Sequence, residues 1–311
     1  MGRHTHHADT SELPFSYLIE NNSESYLVPG ANLRTVGTIR DAQKWPKRDN
    51  RKDPEKLDCI NFNLLSPYTV QKMWRGREVL DELQALGGEN TEVYGYRNCK
   101  IRNSSLRHGR ELYTIGIQKF LGNSLISRLD KREWHTMDEL RAALRPDSPA
   151  GLGDWVDLAG LIAPRNEVSR LLDEIEQGGI TLDAIRRRLA QMHANYYSYE
   201  WTWALCKLER VWGCTVEQVT LTQIRATIRQ WQDAVVRLDR MVYDDARKEF
   251  DLNSQTGFGV DGDREQAAAD FEEVRGSFES NSFVQAVLEH IDRKTELGES
   301  MLGRLAEVGE S

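Results

Sequence analysis

Residues 181 to 212, TLDAIRRRLAQMHANYYSYEWTWALCKLERVW, are the stretch whose reading decides the fold. Leu182, Ile185, Leu189, Met192, Tyr196, Tyr199, Trp203 and Cys206 recur at alternating steps of three and four, which is the period of one apolar helix face. A second stripe, Tyr197, Trp201, Ala204, Leu208 and Val211, begins halfway along. A helix apolar on two sides is packed on two sides. The spacing therefore predicts one long helix, capped by Thr181, stopped by Gly213, and central to a helical core in its second half.

The next stretch repeats the pattern. Leu221, Ile224, Ile228, Trp231, Val235, Leu238 and Val242 make another stripe after a short connection, so the two helices are expected as an antiparallel pair. Earlier in the chain, Ser66-Pro67 opens a helix that ends at Gly87-Gly88. Val93 to Ile101 reads as a strand or extended strap, and a helix from about Ser105 to Leu129 follows. Thr136 to Glu139 is a capping box for a short helix. Residues 147 to 160 read as a loop, Pro164 begins another helix, and two more cover roughly 264–275 and 282–308. Residues 1 to 63 differ. Short apolar bursts, Val36 to Ile39 among them, alternate with Pro, Gly and Asn, so this segment is read as strands and turns without helix.

At 311 residues, with 39% hydrophobic and 29% charged residues, the chain has the composition of a soluble globular protein. It has no run of about eighteen apolar residues and no apolar signal core, so neither a membrane span nor secretion is expected. Cys59, Cys99, Cys206 and Cys214 are scattered and form no CxxC pair, the pattern of reduced thiols in a cytoplasmic protein. The net charge of −8 is unevenly spread. Residues 34–56 hold eight basic and four acidic residues, whereas 251–311 hold five basic and fourteen acidic ones. An anion site is therefore sought near the N-terminus, and the acidic whole, which shows no nucleic-acid module, argues against nucleic acid as a partner.

Three clusters carry candidate chemistry. His4, His6, His7 and Asp9 have metal-ligand and base chemistry but lie at a terminus without a second ligand group, where a solvated end is the plainer reading. Arg34, Arg40, Lys44, Trp45, Lys47 and Arg48 join phosphate-binding cations to one stacking aromatic. Their charge has an alternative internal use, neutralising acidic helices such as the one with Asp81 and Glu82. His193, Tyr196, Tyr197, Tyr199, Glu200, Trp201 and Trp203 either line a pocket or pack a core. Among them Glu200 stands out, since a carboxylate among aromatics must be paired, exposed or raised in pKa. Gly257 to Gly262 fits GxGxxG, but a helix rather than a strand precedes it, so a loop is expected. There is no HExxH, GxSxG or Walker loop, and nothing in the sequence names a cofactor.

The stretches GRHTHHADTSELPFSYLIE, VPGANLRTVGTIRDAQKWPKRD, INFNLLSPYTVQKM and NYYSYEWTWA resemble the C-terminal half of an uncharacterised bacterial family. Its longer members begin with a half that resembles the left-handed β-helix of hexapeptide-repeat proteins, and some carry a nucleotidyltransferase label. Val28 to Leu33 is similar to one such rung. The resemblance implies a mainly α fold: a helical domain over 64–311 behind a strand-and-turn segment, 1–63, that resembles the last coil of a β-helix. It implies a transferase-related protein of which this chain holds the C-terminal part, acting on sugar nucleotides or in acyl transfer. His4, His6, His7 and Asp9 would then serve as base, and the Arg34 to Arg48 cations would clamp a sugar phosphate or nucleotide. The longer members would assemble as homo-oligomers through the β-helix. The alternative is a helical interaction module with no chemistry of its own. The two readings separate on whether the histidines and the basic stretch converge on one concave site.

Overall fold

Glycine inside a helix removes the side chain that would keep a neighbouring helix away, and one such position sets this architecture. In the computed structural model, which describes residues 3–4, 6–52, 54, 57–251, 253–259 and 262–308, the chain is mainly helical. Strands β1 (Tyr17–Asn21) and β2 (Glu24–Val28) lead through a 3-10 turn (Ala31–Arg34) to α1 (Val36–Lys47) and α2 (Pro67–Gly87). Then come β3 (Val93–Tyr96), β4 (Cys99–Arg102), α3 (Asn103–Asp130) and α4 (Met137–Ala143). The hairpin β5 (Trp155–Leu158) and β6 (Leu161–Pro164) precedes α5 (Arg165–Glu176), α6 (Leu182–Ala194) and α7 (Tyr196–Trp212). Helices α8 (Leu221–Arg247), α9 (Arg264–Arg275) and α10 (Ser282–Ala306) complete the order.

Helix α3 is the hub, packed against α2, α7 and α8, with α10 laid along the far side of α8. A Cβ built on Gly122 of α3 would stand 2.2 Å from Cβ of Trp231 on α8, so only glycine permits this approach. Trp231 is fully buried there, and its indole Nε1–H donates to Asn123 Oδ1 at 2.8 Å. Trp203 of α7 is buried on the other side, edge-on to Phe120 at 5.8 Å, with its Nε1–H donating to the Gly153 carbonyl. The largest core also takes in Leu13, Leu27 and Leu33 from the N-terminal segment. The small sheet has the order β1-β2-β4-β3: two antiparallel hairpins joined by a parallel pairing at Tyr26 and Lys100.

The helix starts follow their caps. Ser66 and Thr69, Thr136 and Glu139, and Thr220 and Gln223 each form reciprocal capping boxes at α2, α4 and α8. Four expectations are corrected. The 181–212 helix is two helices, broken at Asn195, which takes a non-helical conformation (φ −89°, ψ 6°) while both its backbone N–H and its side-chain amide donate to the Gln191 carbonyl. The break turns Tyr196 onto Trp155, ring edge to face at 5.6 Å. The second stripe is only partly buried: Trp201, Ala204 and Leu208 are inside, whereas Tyr197 and Val211 are exposed. Residues 36–47 are helical rather than extended, since Asp245 of α8 accepts the Val36 backbone N–H at 3.0 Å and Glu249 pairs with Arg40 at 2.7 Å. Tertiary contacts to α8 thus override a weak local preference. Within 147–160, Trp155–Leu158 is a strand, closed onto β6 by a two-residue turn in which Ala159 and Gly160 both have positive φ.

Val28 to Leu33 is the end of β2 followed by the 3-10 turn, so the residues that resemble a hexapeptide rung form the exit of an antiparallel hairpin. The expected strand at 93–101 is the hairpin β3–β4. Of the GxGxxG stretch, Val260 and Asp261 lie outside the described residues, as does Met1; Phe258 packs edge-on against Phe271. All four cysteines are free thiols. Among the described residues no helix is long and apolar enough to cross a membrane.

Gly122→Ala should destabilise the fold by roughly 2–4 kcal/mol despite alanine's better helix propensity, because the new methyl meets the fixed base of the Trp231 side chain rather than a movable tip. Denaturant titration measures this, and a variant as stable as the parent would show that α3 and α8 do not approach so closely.

Candidate functional site

The residues singled out at the N-terminus do not meet. His4 Nδ1 hydrogen-bonds Ser25 Oγ at 2.9 Å, and the His7 carbonyl accepts from Asn98 Nδ2. His6 is exposed, and Asp9 forms an ion pair with Arg97 in the β3–β4 turn. The basic residues sit elsewhere, along α1 and its approach. Arg40 pairs with Glu249 and lies 4.7 Å from the Phe283 ring, and Lys44 reaches Asp41 at 3.7 Å. Trp45 is 54% exposed with Lys44 and Arg48 over its ring, Lys47 is exposed, and Arg34 keeps its Nε buried without a hydrogen-bond partner. The two groups share no hydrogen bond, ion pair or ring contact. The internal use of charge holds for Arg40, but with Glu249 as the partner; Asp81 pairs with Arg110 and Glu82 with Arg75.

The concave site lies in the helical core. A cavity of about 660 Å³ opens between α3, α7 and α8, roofed by residues 63–65 and reached at its apolar end by Leu33, Ile39 and Leu238. That volume is within the range of small-ligand sites. Its floor is α3. Lys119, Asn123, Ser127 and Lys131 follow one another every fourth residue, so they lie on successive turns along roughly 18 Å of helix. These four are among the polar residues that α3 and its C-cap present to the cavity, beside Ser124 and Arg128.

The chemistry of this stripe is donation. The Trp231 indole can only donate, so Asn123 must turn its oxygen to it and leave its NH₂ for the cavity. Lys119 is 18% exposed at the inner end; its ion pair with Asp239 is long at 3.8 Å, and Asp239 is more closely engaged by His290 Nδ1 at 2.6 Å. At the mouth Lys131 has no ion-pair partner among the described residues. Ser127 is exposed there, whereas the Ser124 hydroxyl is occupied by the Phe120 carbonyl. Arg128, though it lines the cavity, is fully committed. Its guanidinium donates to the carbonyls of Ala143 and Arg145 and pairs with Asp147 at 2.8 Å, stacked on Trp201.

Across from the floor, α7 supplies Tyr197, Ser198, Glu200 and Trp201. Glu200 forms no ion pair with any cavity cation. Burial pushes its carboxyl up to about 7, partly offset by the hydroxyl of Tyr196. Tyr196 is buried, its hydroxyl has no hydrogen-bond partner of ordinary geometry, and it faces Glu200 and Asn63. Burial, and then the charge of Glu200, hold the Tyr196 phenol well above its usual range. Of the aromatic cluster picked out in the sequence, Tyr197, Glu200 and Trp201 line this cavity, while Trp203 is core. The α3 stripe escaped the sequence reading. Its signal is four polar residues at steps of four within the predicted 105–129 helix and just past its end, a sparser pattern than a run of neighbouring charges.

Residues 136–305, more than half of the chain, match the family described as domain of unknown function (DUF6819), and the chain belongs to that family. Residues 1–84 are similar to a second family, domain of unknown function (DUF4954). No curated protein and no solved structure matches the chain. Both families are uncharacterised, as the resemblance of the quoted stretches implied. The cavity lies where the two matches meet: Leu33, Ile39 and residues 63–65 come from one, α7 and Leu238 from the other, and the α3 floor from the segment between.

The raised Glu200 carboxyl carries a stability consequence. Its folded value of about 7 exceeds the ordinary 4.5, so the folded protein binds the extra proton between those values. Folding is therefore unpenalised by Glu200 below about 4.5 and loses stability as pH rises through about 7. Glu200→Gln should match the parent at low pH and exceed it by roughly 1–3 kcal/mol at pH 8. Paired melts across that range check this; a constant difference would show that Glu200 titrates normally.

Proposed function

We propose that the chain is a helical ligand-binding module whose interhelical cavity holds a small anionic molecule rich in hydrogen-bond acceptors. The observation that carries this reading is the α3 stripe of four donors facing one cavity, with two cations that internal ion pairs leave largely available. Partly buried charges and amides are costly unless something satisfies them, and an acceptor-rich anion satisfies Lys119 and Asn123, with the exposed Ser127 and Lys131 at the entrance. The apolar end at Leu33, Ile39 and Leu238 accommodates a carbon skeleton. This favours the non-catalytic alternative, with ligand binding added to it.

A second reading keeps the transferase class suggested by the resemblance, with sugar nucleotides as substrates and the hexapeptide part supplied by longer relatives. Its support is Trp45, exposed on α1 with Lys44 and Arg48 beside its ring, a surface suited to a base and a phosphate. His4, His6, His7 and Asp9 would act there only if a further segment or copy brought them to α1.

Calorimetric titration with sulfate, inorganic phosphate, glucose 6-phosphate, succinate and a sugar nucleotide separates the two. The cavity reading expects binding by at least one of them. Lys119→Met or Lys131→Met should weaken it by about 1.5–3 kcal/mol per charged hydrogen bond lost, while Arg40→Ala with Arg48→Ala leaves it unchanged. Loss of binding in the α1 variant alone would support the transferase surface, and binding of none of these compounds would overturn both.

A further inference from the structure

Resting on the ligand-binding reading above, the geometry points to a proton-coupled anion site: we infer that an anion enters this cavity together with a proton on Glu200. Glu200 and the donor stripe line the same cavity, so an anion held by Lys119 and Asn123, the less exposed end of the stripe, shares a partly desolvated space with this carboxyl. The groups facing it are known from every side. Its own helix presents the Tyr196 hydroxyl and Tyr197; the roof presents the Asn63 amide and two leucines; α8 presents Leu238, and its Asp239 is engaged by Lys119 and His290. The α3 floor presents Lys119, Arg128 and Lys131, and the following loop presents Asp147, which is already spent on Arg128. None of the three cations pairs with Glu200 within 4 Å; of these groups the Tyr196 hydroxyl favours the ionised carboxylate, and burial outweighs it. In low dielectric, two like charges in one cavity repel strongly.

The consequence follows from charge alone. An ionised Glu200 opposes the anion, whereas a protonated one presents an O–H donor and joins the donors of α3 in facing the ligand's acceptors. Burial already brings the carboxyl up to about 7, so the proton is available from solvent at little cost near neutrality. Bound anion then holds it more tightly, and by reciprocity the proton tightens the anion. The net step is uptake of one anion and one proton, with no bond broken in either. The occupant is thus an anion released as pH rises.

Sulfate is the probe, because it does not titrate in the range of interest. In calorimetric titrations of the full chain from pH 5.5 to 8.5, affinity should be level below about 7. It should then fall by roughly tenfold for each pH unit above it, with one proton taken up per sulfate in buffers of differing ionisation heat. Glu200→Gln should bind sulfate with no slope above pH 7. Should that variant fail to fold, carbon-13 titration of the wild-type glutamate carboxyls reads the same event, since one resonance should titrate at higher pH with sulfate than without. A flat profile in the wild type, an equal slope in Glu200→Gln, or no sulfate binding at all overturns the proton coupling. Only failure of every compound in the wider series overturns the ligand site itself, so the two claims fail separately.

Discussion

The contact between Gly122 and Trp231 is the constraint on which the arrangement depends. With no side chain at Gly122, α8 settles onto α3 closely enough to bury Trp231, and the indole finds its one acceptor in the neighbouring residue, Asn123. A buried donor left without a partner costs about 1–3 kcal/mol, so this hydrogen bond fixes the orientation of the Asn123 amide as firmly as packing fixes the helix. Its NH₂ therefore belongs to the cavity. The same contact that joins the two central helices thus sets the polarity of the candidate site. On the opposite side of α3, Trp203 and Phe120 hold α7 and with it Glu200.

Electrostatics around the cavity divide the cations by use. Arg128 caps the end of α4 and neutralises Asp147; Arg40 ties α1 to Glu249. Lys119 is shared with an aspartate that prefers His290, and Lys131 stands at the mouth. The densest positive charge along the sequence lies on α1, whereas Lys119, a cation that lines the core cavity, stands apart from other basic residues in the sequence of α3. The long pair between Lys119 and Asp239 also lies beside Lys294, whose ammonium is held below its usual range first by burial and then by Lys119. Two ammonium groups thus act on Asp239, of which Lys119 lines the cavity.

Much of the fold was legible in the sequence. The stripe on 221–242, the capping box at Thr136 and the Ser66-Pro67 start mark helices that the structure contains. What could not be read came from tertiary context. The break at Asn195 looks like a helix interior until its amide is seen bonded to Gln191, and α1 is helical because Asp245 and Glu249 lie beside it. The β5–β6 hairpin hides in a Gly-rich run because its turn uses Ala159 at positive φ, a residue with no turn preference. For the site, Glu200 was legible as a carboxylate that its aromatic neighbours would perturb. The stripe from Lys119 to Lys131 is not legible as a site, because a polar face on a helix usually means solvent and only the structure shows a cavity there.

The central claim is that this cavity, rather than the basic surface of α1, receives the ligand. Side-chain amide and indole resonances report on it directly, since the Trp231 N–H donates to Asn123 Oδ1 and leaves the Asn123 NH₂ at the cavity floor, while the Trp45 indole sits on α1. In a nitrogen–proton spectrum recorded during titration with glucose 6-phosphate or sulfate, the account predicts saturable shifts of Asn123 and Trp231 with Trp45 stationary. Saturable shifts of Trp45 with Asn123 and Trp231 unmoved would contradict it.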